Sequence, residues 1–120
     1  MPVADYLVDK WLDAIKDPTI QSYVSLHYAL PPANDPKSTE LTATSYTRQR
    51  TYWTKTTRMI GNQDVLGWYN LPATAITHIG VFDGPYSSNL MFVLELTSPY
   101  VLAPNDSYEL GPGELYLRFP

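Results

Sequence analysis

Ile76-Thr77-His78-Ile79-Gly80-Val81-Phe82-Asp83, the turn Gly84-Pro85-Tyr86-Ser87-Ser88-Asn89, and Leu90-Met91-Phe92-Val93-Leu94-Glu95-Leu96 together decide the fold class. Two short runs rich in β-branched and aromatic residues, split by Gly, Pro, Ser and Asn, predict two antiparallel strands and their turn. Alternation sets His78 on the same face as Ile76, Gly80 and Phe82. The second run is apolar on both faces except at Glu95. One face can serve a core, and the other needs cover from an N-terminal helix or another subunit. Gly80 weakens a strand interior unless it marks a bulge or a close approach. A bulge that curves the sheet is the first reading, and backbone approach to a partner subunit the second.

Only the N-terminal segment has helical periodicity. Ala4, Leu7, Val8, Trp11, Leu12 and Ile15 recur at spacings of three and four, which predicts a helix over residues 3–17. Asp17-Pro18 stops it, because proline disfavours helix in the preceding residue. Trp11 on that stripe is expected to anchor the helix on the sheet, with partner docking as the alternative.

The remainder reads as strand. Ser22–Leu30 alternates imperfectly, a long polar loop spans 31–45, and Tyr46–Thr57 is dense in Thr, Tyr and Trp. Gly61-Asn62-Gln63-Asp64 reads as a break, followed by strands at Val65–Leu71, Tyr100–Ala103, Tyr108–Leu110 and Leu115–Phe119. One helix and about seven or eight short strands with regular turns predict a mainly β fold. The expected form is an antiparallel, jelly-roll-like β-sandwich. It forms a single domain over 1–120, with the sandwich occupying 22–120.

Charged residues make up 17% of the chain, below the usual quarter, while aromatics reach 13% and ten of them are Tyr. Low charge with many Tyr suits a protein packed against neighbours. A net charge of −4 argues against nucleic acid as a partner. The chain has no cysteine, so thiolate metal sites and disulfides are excluded. Neither a bilayer-spanning apolar run nor a signal-peptide pattern occurs, so a soluble product without membrane insertion is expected.

His78, Asp83 and Ser87 invite comparison with a catalytic triad. They lie on one strand and its turn, with no nucleophile elbow or glycine-framed oxyanion site, so no catalytic residue is expected. His78 reads instead as a structural strand histidine bonded to a neighbouring backbone group. Asp83 and Asp106 read as turn residues bonding their own backbone. With His27 and His78 far apart and no calcium-type loop, neither metal nor cofactor is expected. The richest candidate interface is Tyr46–Arg58. It holds Arg48, Arg50, Lys55 and Arg58, half of the eight cationic residues, among Tyr46, Tyr52 and Trp53. On one strand Tyr46, Arg48, Arg50 and Tyr52 would share a face, and Arg and aromatics are the types enriched at hot spots. The same segment could equally be a solvated edge strand protected by charge.

Several short pieces, in order, resemble a family of tailed-bacteriophage structural proteins usually labelled tail fibre or minor tail proteins. They are the N-terminal helix, Val24-Ser25-Leu26-His27 with its proline loop, Tyr46-Thr47-Arg48-Gln49 and Leu71-Pro72. Next come Ile76–Asp83, Asn89-Leu90, Leu96-Thr97-Ser98-Pro99 with Val101, Asn105-Asp106-Ser107 and Gly113-Glu114-Leu115. The chain departs from the family at Asn105, where glycine is usual, and in its more basic and aromatic Arg50–Arg58 stretch. The resemblance implies a non-enzymatic virion protein made in the host cytoplasm. Its partners would be other tail or capsid proteins and copies of itself, a trimer being one candidate. A capsid decoration protein is the close alternative. A carbohydrate-binding receptor module, taking a host cell-surface glycan, is the further one.

Overall fold

Residues 4–17 and 19–119 are described by the computed structural model, so Val3 of the expected helix and the Pro18 stop lie outside the described residues. Helix α1 spans Asp5–Lys16, with Asp5 in its first turn and Lys16 in its last, matching the helix dipole. Asp17 ends it, accepting bonds from the Thr19 amide and hydroxyl at 2.9 and 2.8 Å.

Nine strands follow among the described residues: β1 (Ser22–His27), β2 (Gln49–Thr51), β3 (Trp53–Thr56), β4 (Met59–Asn62), β5 (Leu66–Leu71), β6 (Thr74–Phe82), β7 (Leu90–Leu102), β8 (Asp106–Leu110) and β9 (Tyr116–Arg118). All pairings between them are antiparallel. They form three sheets, ordered β2-β1-β6-β7, β3-β4-β9 and β5-β8. The fold is mainly β with one helix, in a sandwich-like arrangement. The Tyr46–Thr57 run divides into β2 and β3, and the expected break at Gly61-Asn62 lies inside β4. There Gly61 pairs with both Thr54 and Tyr116, and backbone pairing outweighs the turn propensity of Gly and Asn.

The central sheet has two distinct faces. Val24 and Leu26 of β1 oppose Val81 and Ile79 of β6, and all four are buried in the core with Trp53, Ile60, Trp68, Leu71 and Leu115. The other face carries Tyr23, Ser25 and His27 opposite Phe82, Gly80 and His78. This chain covers that second face itself. The Arg48 guanidinium lies over the Phe82 ring and Thr39 Oγ1 meets His27 Nδ1 on that face. The Leu41 amide to the Leu26 carbonyl and the Tyr28 amide to the Thr39 carbonyl pair the end of the 31–45 loop with the edge of β1. The helix does not serve there. It packs against β3 and β4, with Val8 and Leu12 fully buried, so the expected cover of the central pair by the helix is corrected.

Gly80 is also corrected. The β6–β7 register shifts between Ile76 and His78 and between Val81 and Phe82, while Gly80 pairs regularly with Ser25 and Val93. Its role is space, not a bulge. A Cβ there would lie 2.7 Å from Ser25 Oγ and 2.8 Å from His27 Nε2. Beyond the first shift β7 continues through Pro99, which an edge strand tolerates because it need not donate outward.

Candidate functional site

The segment singled out for its charge is mostly turned inward. Arg48 precedes β2, and its guanidinium grips the Glu40 carboxylate with two bonds, Nε to Oε2 at 2.9 Å and Nη2 to Oε1 at 2.8 Å. Its Nη1 donates to the Gly84 and Ser87 carbonyls at 3.0 and 2.8 Å, and the group stacks 3.7 Å above the Phe82 ring. The side chains of Arg48 and Glu40 are only 3% and 10% exposed. Tyr46 donates to Glu40 Oε2 at 2.5 Å and accepts from the Leu26 amide. Burial, followed by the adjacent Glu40 charge, pushes the Tyr46 hydroxyl far above its ordinary range, so it stays a donor. Glu40, Tyr46 and Arg48 thus join the proline loop, the β6–β7 turn and the second face of the sheet. Tyr46 and Arg48 lie outside any strand, so the expected four-residue face of Tyr46, Arg48, Arg50 and Tyr52 does not form.

Beside this cluster, His27 is fully buried. Its Nε2 lies 2.6 Å from Ser25 Oγ, its Nδ1 3.0 Å from Thr39 Oγ1, and its ring stacks on Phe82. Burial pulls its pKa down to about 4, with Arg48 and His78 acting the same way and Glu40 opposing. Sequence reasoning did not single out Glu40, and it weighed His27 only as a metal ligand and as part of a motif. The available signal was a lone acid, Glu40, in a polar loop eight residues before an arginine.

The other cations also have acidic or aromatic partners. Lys55 donates to Asp13 at 2.8 Å and lies 3.9 Å from Asp9, while Arg58 pairs with Asp5. Arg50 stacks on Tyr52 at 4.8 Å. Trp53 is in the core, donating to Ser22 Oγ at 2.8 Å and tilted against Phe92. Trp11 is 41% exposed and packs on Phe119 with ring centroids 5.4 Å apart. Trp11 with Phe119, and Arg50 with Tyr52, are therefore the exposed aromatic surfaces of this set of residues.

His78, Asp83 and Ser87 are not brought together as acid, base and nucleophile. His78 Nδ1 is 2.8 Å from Thr77 Oγ1, and its Nε2 is 3.8 Å from Glu95. Asp83 is held below the usual carboxylate range by bonds from Ser87 and Asn89 within its own turn. Asp106 accepts from the Ala103 amide at 2.8 Å, closing the β7–β8 turn. Among the described residues no group of three His, Cys, Asp or Glu side chains is arranged to hold a metal ion. No helix there is long and apolar enough to cross a membrane.

Two further surfaces were not legible from residue types. A bulge sets Tyr69 and Asn70 of β5 against Ser107, with Asn70 at φ 54°. Tyr69 folds back across Gly67, where a Cβ would meet its hydroxyl at 2.6 Å, and donates to Glu109 at 2.9 Å. Tyr69 remains 55% exposed. Separately, an open groove of about 370 Å³ runs between β7 and β9. Leu94, Leu96 and Leu117 line it, with Glu95 and Arg118 among the charged residues.

No curated protein sequence matches the chain significantly. Residues 2–118 match the family described as Podophage GP4 fiber I protein gp80, which covers almost the whole chain. The β-rich framework, and the ordered short motifs from Val24-Ser25-Leu26-His27 to Gly113-Glu114-Leu115, lie within that match. The chain belongs to this phage fibre-type structural protein family.

Proposed function

We propose that the protein is a non-enzymatic structural component of a bacteriophage particle, working as a homo-oligomer on the exterior, in the tail. The observation that carries this reading is the fibre-family match over residues 2–118. The engagement of Arg48, Glu40, His27 and Asp83 in structural bonds supports a binding role over chemistry. Its work would be contact through exposed aromatic surfaces, chiefly Trp11 with Phe119 and Tyr52 with Arg50. Electron microscopy of intact particles tests it. Density for the chain at the tail is the expected outcome. Density on capsid facets would instead favour the decoration role, and failure to copurify with particles would overturn the virion reading.

A second reading, recognition of a host glycan, draws on Tyr69. A flat, exposed ring held by Gly67 and Glu109 matches the needs of sugar stacking beside a hydrogen-bond acceptor. Tyr69→Ala would then abolish a fluorescence change produced by host cell-wall glycans without altering the fold.

A further inference from the structure

Sheet β5-β8 buries Leu66, Trp68, Tyr108 and Leu110 on its inner side, so alternation sets Gly67, Tyr69, Ser107 and Glu109 on the outer one. Tyr69 lies across Gly67. A Cβ at that glycine would come within 2.6 Å of the tyrosine hydroxyl, 3.0 Å of Cζ and 3.2 Å of Cε2. The hydroxyl donates to Glu109 Oε1 at 2.9 Å, which fixes the ring against the strand and leaves its opposite face to solvent. Glu109, by that bond and its charge, holds the hydroxyl above its ordinary range. Among the described residues Glu109 has no ion-pair partner. Charge around this platform is one-sided. All eight Lys and Arg residues lie within residues 1–58 or at Arg118, while residues 59–117, which supply both strands, carry six of the twelve acids.

We propose that Tyr69 and Glu109 form a subsite for a sugar carrying a free ammonium group, so that the glycan taken here is an amino-sugar polymer. This deepens the glycan reading above and rests on it. A tyrosine ring attracts a cation set over its face, because the face of the ring is the negative pole of its quadrupole. Glu109 at the rim of the same ring adds a full negative charge and an acceptor. Since the hydroxyl and the carboxylate are already bonded to each other, one ammonium can meet ring and carboxylate together. A neutral sugar would use the ring but gain nothing from the charge. An acidic sugar would be repelled by Glu109, and neither strand holds a Lys or Arg to answer its carboxylate. The surroundings favour a sugar over a lysine of a partner protein. The platform is one ring wide, and Asn70 and Ser107 beside it are exposed polar residues suited to hydroxyl groups. A protein interface centres instead on a buried, charge-poor patch.

Calorimetric titration of the full chain tests the subsite, at mildly acidic pH where the amines are charged. A glucosamine tetramer should bind about tenfold more tightly than its N-acetylated counterpart, and added salt should narrow the gap. Tyr69→Ala should abolish binding of both. Glu109→Gln should erase the difference while leaving the affinity for the N-acetylated tetramer unchanged, a split that misfolding cannot produce. Gly67→Ala should weaken both, because its methyl group displaces the ring. Equal affinity for the two tetramers, or no binding of either, would overturn the inference. So would binding of the glucosamine tetramer that ignores Tyr69→Ala and Glu109→Gln, since that is attraction to the acidic chain as a whole. A lysine tetramer that binds as tightly, with the same response to both variants, would assign the site to a protein ammonium and overturn the sugar assignment. If host cell-wall glycans bind through Tyr69 while the two tetramers bind equally, only the ammonium preference fails. If the glucosamine tetramer binds as expected but host cell-wall glycans do not, only the host-glycan reading fails.

Discussion

Arg48 shows how a residue type that suggests a surface can instead organise an interior. Its charge is neutralised by Glu40, its remaining donors meet two carbonyls, and Phe82 covers its face. Breaking such a pair from one side strands the other charge. Arg48→Ala should therefore destabilise the fold by about 3–5 kcal/mol in urea titrations. Glu40→Gln/Arg48→Met together should cost much less than the single change, since neither then leaves a buried charge. Gly80→Ala should cost about 1–3 kcal/mol by overpacking, because its methyl group would press on Ser25 and His27. A melting temperature equal to wild type would refute that account.

His27 gives the residue scale its pH dependence. An unfolded histidine titrates near 6.5, while burial holds His27 down to about 4. Between those values the unfolded chain binds a proton that the native state does not. Stability is thus full above pH 6.5 and is lost as pH falls toward 4, by on the order of 3 kcal/mol. Unfolding titrations of wild type and His27→Gln across that window should differ in slope, the variant being flatter. Parallel slopes would mean that His27 is protonated in the native state.

At the scale of elements, helix α1 raises the question of what holds it. Its links to β3 and the β3–β4 turn include Lys55 with Asp13 and Asp9, and Arg58 with Asp5, where the acids are largely exposed. Exposed pairs are worth about 0–1 kcal/mol each. Val8 and Leu12 are fully buried, and truncating such a side chain typically costs about 2–5 kcal/mol. Leu12→Ala should therefore destabilise far more than Lys55→Ala, as measured by chemical denaturation. Equal effects would show that the ion pairs, not the apolar stripe, dock the helix. The stripe was legible in the sequence, but not its ranking: Trp11, the largest member, sits at the margin against Phe119 while Val8 and Leu12 go inside. Periodicity sets an apolar face, and only the shape of the opposing sheet selects which members fill it.

At the scale of the whole molecule, side chains tie together segments far apart in sequence. Asn62 of β4 donates from Nδ2 to the Asp64 and Gly111 carbonyls, and its Oδ1 accepts from the Leu115 amide. It holds the turn before β9 against sheet β3-β4-β9. Asn62→Ala would leave the Leu115 amide and the Gly111 carbonyl without that partner. It should cost about 1–3 kcal/mol or more and raise hydrogen exchange at Leu115. Unchanged exchange there would place the anchor elsewhere. Part of why Gly61-Asn62 read as a break in sequence is long-range too: besides their hairpin partners Thr54 and Trp53, they meet Tyr116 and Leu115, more than fifty residues away.

Local pattern by itself determined the helix, the strand character of nearly everything after it, the β6–β7 pair and the ordered motifs that mark the family. Those signals lie in periods of two and 3.6 and in turn residues, all of which act over a few neighbours. Tertiary structure alone decided that the strands divide into three sheets and that Gly80 makes room for Ser25 and His27. It also decided that Arg48 is buried against Glu40, and that β7 forms a long sheet edge. Each of these depends on which distant residues meet, and one-dimensional spacing carries no such information. The stretch from Ile76 to Leu96 therefore announced two strands from its own chemistry, while its neighbours alone made one strand central and the other an edge.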